Sequence, residues 1–467
     1  MNYPNFEGTL IFHKVAIKGN VLLAALFAGF IGGWDASASF FIFPDIRDNF
    51  AGGDAATASW VLNASNVVGA ALLLQAGRLA DSSGPLKLYK LGIKLFVAGM
   101  LLSTLAPSIW LLVAARSLAA ASQALMGPAA VALVIKYGEI GKESESIGRW
   151  GLYTAVAGFT APLIVTQLIS TFTWRSLFAL QVPIGLFVLY CLQTNDGSEE
   201  IRKPIKIDRV GSVLTIVGLT TLILPIVKSG DWGFTSLKPL TLFSIALVLL
   251  TILIKRSLTL DNSPLQTQLF IHRNFSLACA MSLFAGIAFY AHWLAILLFM
   301  VEIWEFTLIE AGLLLTIMPA SMSLFSVWFG KLADSRGYRP IVIPGLITYS
   351  LLFLIMWVNI DQDPQLLITI PALIGSGIGM ASVWPTLTSI GANAIEDNSI
   401  SSGTSIIHTI QRIGGALGIA IVLAVISGLS GSDTFVAHRS AILVMPIAGV
   451  MTLLLSCFLN APQRDFR

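Results

Sequence analysis

Gly77-Arg78-Leu79-Ala80-Asp81-Ser82-Ser83-Gly84 returns 253 positions later as Gly330-Lys331-Leu332-Ala333-Asp334-Ser335-Arg336-Gly337. Six of the eight residues are identical, and each hydrophilic copy stands between two long apolar runs. A match of this kind at equivalent places predicts two equivalent halves. Each aspartate lies where it can accept hydrogen bonds from the N-terminus of a nearby helix, and the glycines permit a tight turn and close approach. We read the copies as two conformational latches, Gly77, Asp81 and Gly84 in the first, and Gly330, Asp334, Gly337 and Arg339 in the second. The second copy keeps Arg336 and Arg339, whereas the first is followed by Pro85, Leu86 and only Lys87. The stronger latch is therefore expected in the second half.

The rest of the chain fits a membrane setting. Of 467 residues, 55% are hydrophobic and 11% charged, against about 25% charged in a soluble domain. Mean hydropathy is +0.81. That leaves too little polar surface for a soluble enzyme and predicts an all-α polytopic membrane protein. The net charge of +3 comes with no long basic run, so no nucleic-acid partner is expected. Cys191, Cys279 and Cys457 all lie in apolar runs and read as packing residues. No metal-ligand spacing, phosphate loop or nucleophile elbow stands out, so no enzyme activity, cofactor or metal is expected. Gly375, Gly377 and Gly379 lie in an apolar helix and read as helix packing. Glu302, Glu305 and Glu310 read as solvated surface, with cation attraction at a pore mouth as the sharper alternative.

A bilayer core takes about 20 apolar residues per helix. That window predicts fourteen helices, near 21–43, 57–76, 88–106, 109–132, 150–172, 176–192, 210–228, 239–254, 274–299, 308–330, 340–360, 366–388, 401–427 and 439–459. The first run is too long for a signal h-region and reads as a span. With the N-terminus inside, 21 Lys and Arg fall on the inner side and 5 on the outer, while Arg116 and Arg412 lie within helices. This bias places both termini in the cytoplasm. Two stretches rich in charge, 193–209 and 255–273, divide the chain into a six-helix bundle (1–192), a linker with two inserted helices (193–273), and a second six-helix bundle (274–467). Parallel repeats imply a two-fold axis along the membrane normal and a substrate site between the halves.

With the paired Gly-x-Leu-Ala-Asp-x-x-Gly loops, the chain resembles the major facilitator superfamily, and its helix number resembles that family's fourteen-helix drug:proton antiporter branch. Trp34-Asp35 before Pro44-Asp45-Ile46, Arg116 twelve residues before Pro128, Ala161-Pro162, Trp174-Arg175, Val182-Pro183-Ile184-Gly185 and Gly414-Gly415-Ala416-Leu417-Gly418 resemble its helix motifs. The resemblance implies a major-facilitator-type fold and secondary transport of a small-molecule substrate, coupled to protons, across the bilayer of the plasma or inner membrane, by a protein functional as a monomer. Pro162 would carry the helix-five motif. The departures are Ala119-Ala120 after the fourth-helix arginine, Ala161 to Thr166 without the usual glycines, and Gln411-Arg412 in inverted order.

A charge at bilayer depth costs about 2.5–3.5 kcal/mol even on the lenient insertion scale. Asp35, Arg116 and Arg412 are the charges deep inside predicted helices. A rise of about 1.5 Å per residue sets Asp35 and Arg116 near one level, within reach of a direct or water-bridged pair. They are candidates for proton coupling, with a static ion pair as the alternative. His408, Gln411, Arg412 and His292 are candidates for the substrate cavity; His408 lies one turn before Arg412 on the same face. For Arg412 the alternative is capping of loose carbonyls near Gly414 and Gly415, and for His292 a packing role beside Trp293. Export of drug-like or metabolic amphiphiles by alternating access is the leading expectation. One acid against two arginines gives neutral or anionic substrates equal weight with cations. A facilitator or symporter, or a membrane sensor without transport, are the alternatives.

Overall fold

The computed structural model describes residues 6–39, 41–42, 45–46, 50, 55–193, 208–227, 232–233, 236–260, 265–393, 400–428 and 434–460. Pro44 and most of the polar stretch 193–209 lie outside them. The first half is built from α1 (Phe6–Ala38), α2 (Ala55–Ser83), α3 (Pro85–Leu105), α4 (Ile109–Tyr137), α5 (Glu143–Thr171) and α6 (Arg175–Cys191). Next come α7 (Arg209–Val227) and α8 (Leu237–Thr259). The remainder comprises α9 (Arg273–Glu302), α10 (Leu308–Leu315), α11 (Ile317–Arg336), α12 (Arg339–Asn359), α13 (Leu366–Asn393), α14 (Ile400–Gly428), α15 (Thr434–Ile442) and α16 (Val444–Ser456).

Every predicted segment falls on a helix, and two of them are broken. The breaks, at Thr316 and Leu443, have one cause. Pro319 and Pro446 cannot donate to residues four positions back, and their rings crowd those carbonyls. Those residues are Leu315 and Ile442, the last residues of α10 and α15. Eleven helical runs among the described residues are long and apolar enough to cross a membrane. The apolar runs Arg175–Cys191 and Arg209–Pro225 are shorter. α2 is long, but Gln75, Arg78 and Asp81 make it more polar than a simple span.

The repeated octapeptides are helix rather than loop. Gly77 to Ser83 forms the last turns of α2, and Gly330 to Arg336 the last turns of α11. Each turn is a single glycine in a left-handed conformation, Gly84 at φ 90° and Gly337 at φ 82°. A side chain at either site would be strained.

The buried apolar side chains form two clusters, one drawn from residues 21–192 with Ala392, the other mainly from 269–459. α1 packs on α4 and α5, and α3 on α4 and α6; in the other cluster α9 packs on α14 and α16, and α12 on α13. Across the middle, α2 meets α14 and α5 meets α11. These crossings are close because glycines face backbone. A Cβ on Gly77 would collide with Ser401 and Ser405, and one on Gly330 with Ser144 and Glu145. α7 and α8 pack as a pair, and α7 lies against α2, where Ser212 Oγ donates to Gln75 Oε1 at 2.8 Å. Arg256 closes the pair by donating twice to Asp208, at 2.7 and 2.9 Å. That guanidinium is the main reason the Asp208 carboxyl lies below the usual carboxylate range.

Candidate functional site

α1 and α4 bring Asp35 and Arg116 together directly. Arg116 Nη1 donates to Asp35 Oδ1 at 2.5 Å and Nη2 to Oδ2 at 3.1 Å, with a further bond from Nη2 to Ser39 Oγ at 3.2 Å. Gln123 Nε2 adds a donor to Oδ2 at 3.0 Å. The guanidinium also lies 5.5 Å from the centroid of the Phe178 ring. Arg116 is 2% exposed and Asp35 7%. A buried bidentate pair needs further hydrogen bonds; Gln123 donates to the carboxylate and Ser39 accepts from the guanidinium, while Arg116 Nε has no partner among the described residues. Gln123 was not anticipated from sequence. Its signal is spacing: seven residues, two helical turns, after Arg116.

Asp35 and Arg116 form part of the wall of a cavity of about 250 Å³ between the two clusters. α1, α4 and α5 line one side, and α9, α11, α13 and α14 the other. Trp150, Phe289, Tyr290, Trp293 and Trp384 make the wall aromatic, with Phe289 and Trp384 centroids 4.9 Å apart. His408, Gln411 and Arg412 also line it. The His408 ring stacks on Trp150 at 6.0 Å and 13°, and its Nε2 is 3.2 Å from Thr388 Oγ1.

His292 is a correction. It lies off the cavity, 1% exposed, with its ring 5.5 Å from Phe353 of α12. One residue along a helix turns the side chain by about 100°. Trp293 therefore faces the cavity and His292 faces away. Pro162 is buried inside α5 and is also absent from the cavity wall.

The two octapeptides make equivalent bonds across the middle. Asp81 accepts from Ser401 N at 3.2 Å, Ser402 N at 2.9 Å and Ser402 Oγ at 2.6 Å, at the start of α14. Asp334 accepts from Ser144 N at 3.0 Å and Glu145 N at 2.8 Å, at the start of α5. Both carboxylates thus occupy helix N-termini, where unsatisfied N–H groups and the helix dipole favour an anion. The two differ in burial. Asp81 is 5% exposed, while Asp334 is only half-buried. Arg336 and Arg339 are exposed, and among the described residues neither donates to Asp334. One donor in the first copy is a serine hydroxyl 321 residues away, which no local reading of the loop could supply.

Glu302, from the acidic cluster, contacts His438 Nε2 at 2.9 Å, and Glu310 forms a capping box with Thr307 at the start of α10.

A family model described as Major Facilitator Superfamily matches residues 25–274 and 278–465. The chain is 25% identical over 388 residues to the multidrug resistance protein Stp of Mycobacterium tuberculosis, covering 82% of this chain and 71% of that protein. It is 25% identical over 417 residues to the multidrug export protein EmrB of Haemophilus influenzae, covering 87% and 80%. Among solved structures, the proton:xylose symporter XylE bound to 6-bromo-6-deoxy-D-glucose superposes with a TM-score of 0.67 over 95% of this chain and 96% of that one, at 13% identity. That last likeness is one of fold.

Proposed function

The chain belongs to the major facilitator superfamily, whose members are multi-pass membrane transporters and not enzymes, and we propose that it exports small drug-like or metabolic amphiphiles by proton-coupled alternating access. The similarity to Stp and EmrB supports export, and the cavity between the halves supports a substrate site there. The observation that carries proton coupling is Asp35. It is a carboxylate in the cavity wall whose oxygens are held by Arg116 and Gln123. Protonating Asp35 would remove the charge that Arg116 binds and free the guanidinium to move. Loss of the proton would restore the pair. A buried pair broken on one side costs about 3–5 kcal/mol, enough to bias two conformations of similar stability.

In this reading the two aspartate contacts hold one end of the protein closed, and both must release for the cavity to open there. The same reading takes residues 1–192 and 274–467 as two six-helix bundles, with the pair α7–α8 as an insert, fourteen spans in all. It puts both termini in the cytoplasm, the protein in the plasma or inner membrane, and the working unit as a monomer. Helix five favours a second reading, a facilitator or symporter, since Ala161 and Val165 stand where the antiporter pattern has glycines. Flux into inside-out vesicles against a panel of amphiphiles, with and without an imposed pH gradient, tests the proposal. Accumulation that collapses with the gradient supports export coupled to protons. Equilibration unaffected by the gradient supports the facilitator.

A further inference from the structure

Among the described residues Arg412 is a cation with no carboxylate beside it, in a cavity whose one described carboxylate is already taken. Asp35 accepts from Arg116 and Gln123, so that pair is neutral as a unit. Arg412 lines the same cavity and forms no ion pair among the described residues. Its guanidinium lies against Gly69 of α2, where a Cβ would come within 3.1 Å of Nη1. Beside it, Gln411 is 2% exposed, yet its amide nitrogen donates to no protein atom. Trp150 is 9% exposed, and its indole N–H likewise has no acceptor. Buried donors normally have partners. Two buried, unsatisfied donors and an unpaired guanidinium around one cavity call for an acceptor that carries negative charge. The aromatic lining supplies the rest of the preference, through the rings of Phe289 and Trp384.

We propose that the cavity binds anionic aromatic amphiphiles, with the acid group on Arg412 and Gln411 and the ring system among Trp150, Phe289 and Trp384. The inference rests on the transport reading above and names its substrate class. A lipophilic cation would meet an uncompensated guanidinium and a carboxylate without spare charge.

The test uses the full-length protein in nanodiscs and two probes that differ by one group: 8-anilinonaphthalene-1-sulfonate and N-phenyl-1-naphthylamine, which lacks the sulfonate. Signal from empty nanodiscs is subtracted. Arg412→Gln is expected to weaken sulfonate binding about tenfold or more, the size of a lost charged hydrogen bond, and to leave the neutral probe unchanged. Arg412→Lys should recover part of the loss, and Gln411→Leu should weaken the sulfonate alone. If Arg412→Gln does not yield monodisperse protein, Arg412→Lys and Gln411→Leu give the answer by the same comparison. Sulfonate affinity that ignores all of these changes, or both probes weakening together, overturns the proposal. The transport reading fails separately. Arg412-dependent sulfonate binding without gradient-driven flux sinks transport and keeps the site, whereas gradient-driven flux without that dependence does the reverse.

Discussion

Asp35 is the residue on which coupling stands or falls. It is the carboxylate of the cavity wall, and Asn at that position keeps the shape while removing the titration. Asp35→Asn is expected to abolish pH-gradient-driven flux and leave membrane insertion and binding of the neutral probe intact. Undiminished driven flux in that variant would return the pair to a static role. Arg116→Ala should harm the protein itself, because it strands a buried carboxylate and opens space beside Phe178. The expected loss is about 3–5 kcal/mol, read as a lower melting temperature and poor recovery from the membrane. The pair was legible in the sequence because charges inside apolar runs are few and costly, so each needs a partner at its own depth. Gln123 was not legible as its third member, since a neutral side chain among Ala and Leu carries no such cost signal. His292 was misplaced for a related reason: helix phase, which separates it from Trp293, is fixed by packing against α12 rather than by composition.

In the proposed cycle, two contacts between elements set the ease of opening. The Asp81 contact is deeply buried, with the Ser402 hydroxyl among its donors, and the Asp334 contact is open to more solvent. Charge-assisted bonds to buried groups are worth about 1.5–3 kcal/mol each. Asp81→Asn should therefore shift the opening equilibrium further than Asp334→Asn, by about tenfold for each 1.4 kcal/mol of difference. Distance distributions between spin labels on α2 and α14, and on α5 and α11, would measure it. Equal shifts would remove the argument from burial. The α7–α8 clamp predicts a pH effect of known sign. Arg256 lowers the Asp208 carboxyl below its ordinary value of 3.8. A depressed acid stabilises the fold above its unfolded value and loses that contribution as pH falls through the folded one. The wild type should thus keep the clamp at neutral pH and lose it as pH falls through that depressed value, while Asp208→Asn lacks it throughout. The difference in melting temperature between the two proteins should shrink on acidification; a difference that grows would contradict the assignment. The helices were legible as apolar runs. The breaks at Thr316 and Leu443 were not, because hydropathy does not register which carbonyl a proline ring displaces.

Charge is what orients the whole molecule, and the exceptions to the charge rule are as informative as the rule. Twenty-one basic residues fall on the proposed inner side and five on the outer, Arg47, Arg175, Lys228, Lys238 and Arg439. Three of the five have a described task. Arg175 donates to Ala106 O at 3.0 Å, the C-cap of α3, and stacks on Trp174 at 4.3 Å. Arg439 donates to Trp357 O at 2.9 Å and Val358 O at 3.1 Å, at the end of α12. Lys238 lies 5.9 Å from the Trp232 ring. Arg175 and Arg439 are equivalent under the repeat, since each reaches from the sixth helical segment of its half to the last carbonyls of the third. Cations there satisfy orphan carbonyls and favour the helix C-terminal dipole. They are fixed by structure and carry no topological information, so discounting them sharpens the bias. The segment 193–209 gives the clearest reading, because Arg202, Lys203, Lys206 and Arg209 stand within eight positions of one another in its sequence. In a chain with Cys191, Cys279 and Cys457 replaced, Glu200→Cys should react with a membrane-impermeant maleimide in inside-out vesicles and not in intact cells. Labelling from outside would invert the molecule, put both aspartate contacts on the opposite face, and turn the proposed exporter into a protein closed on its outer side.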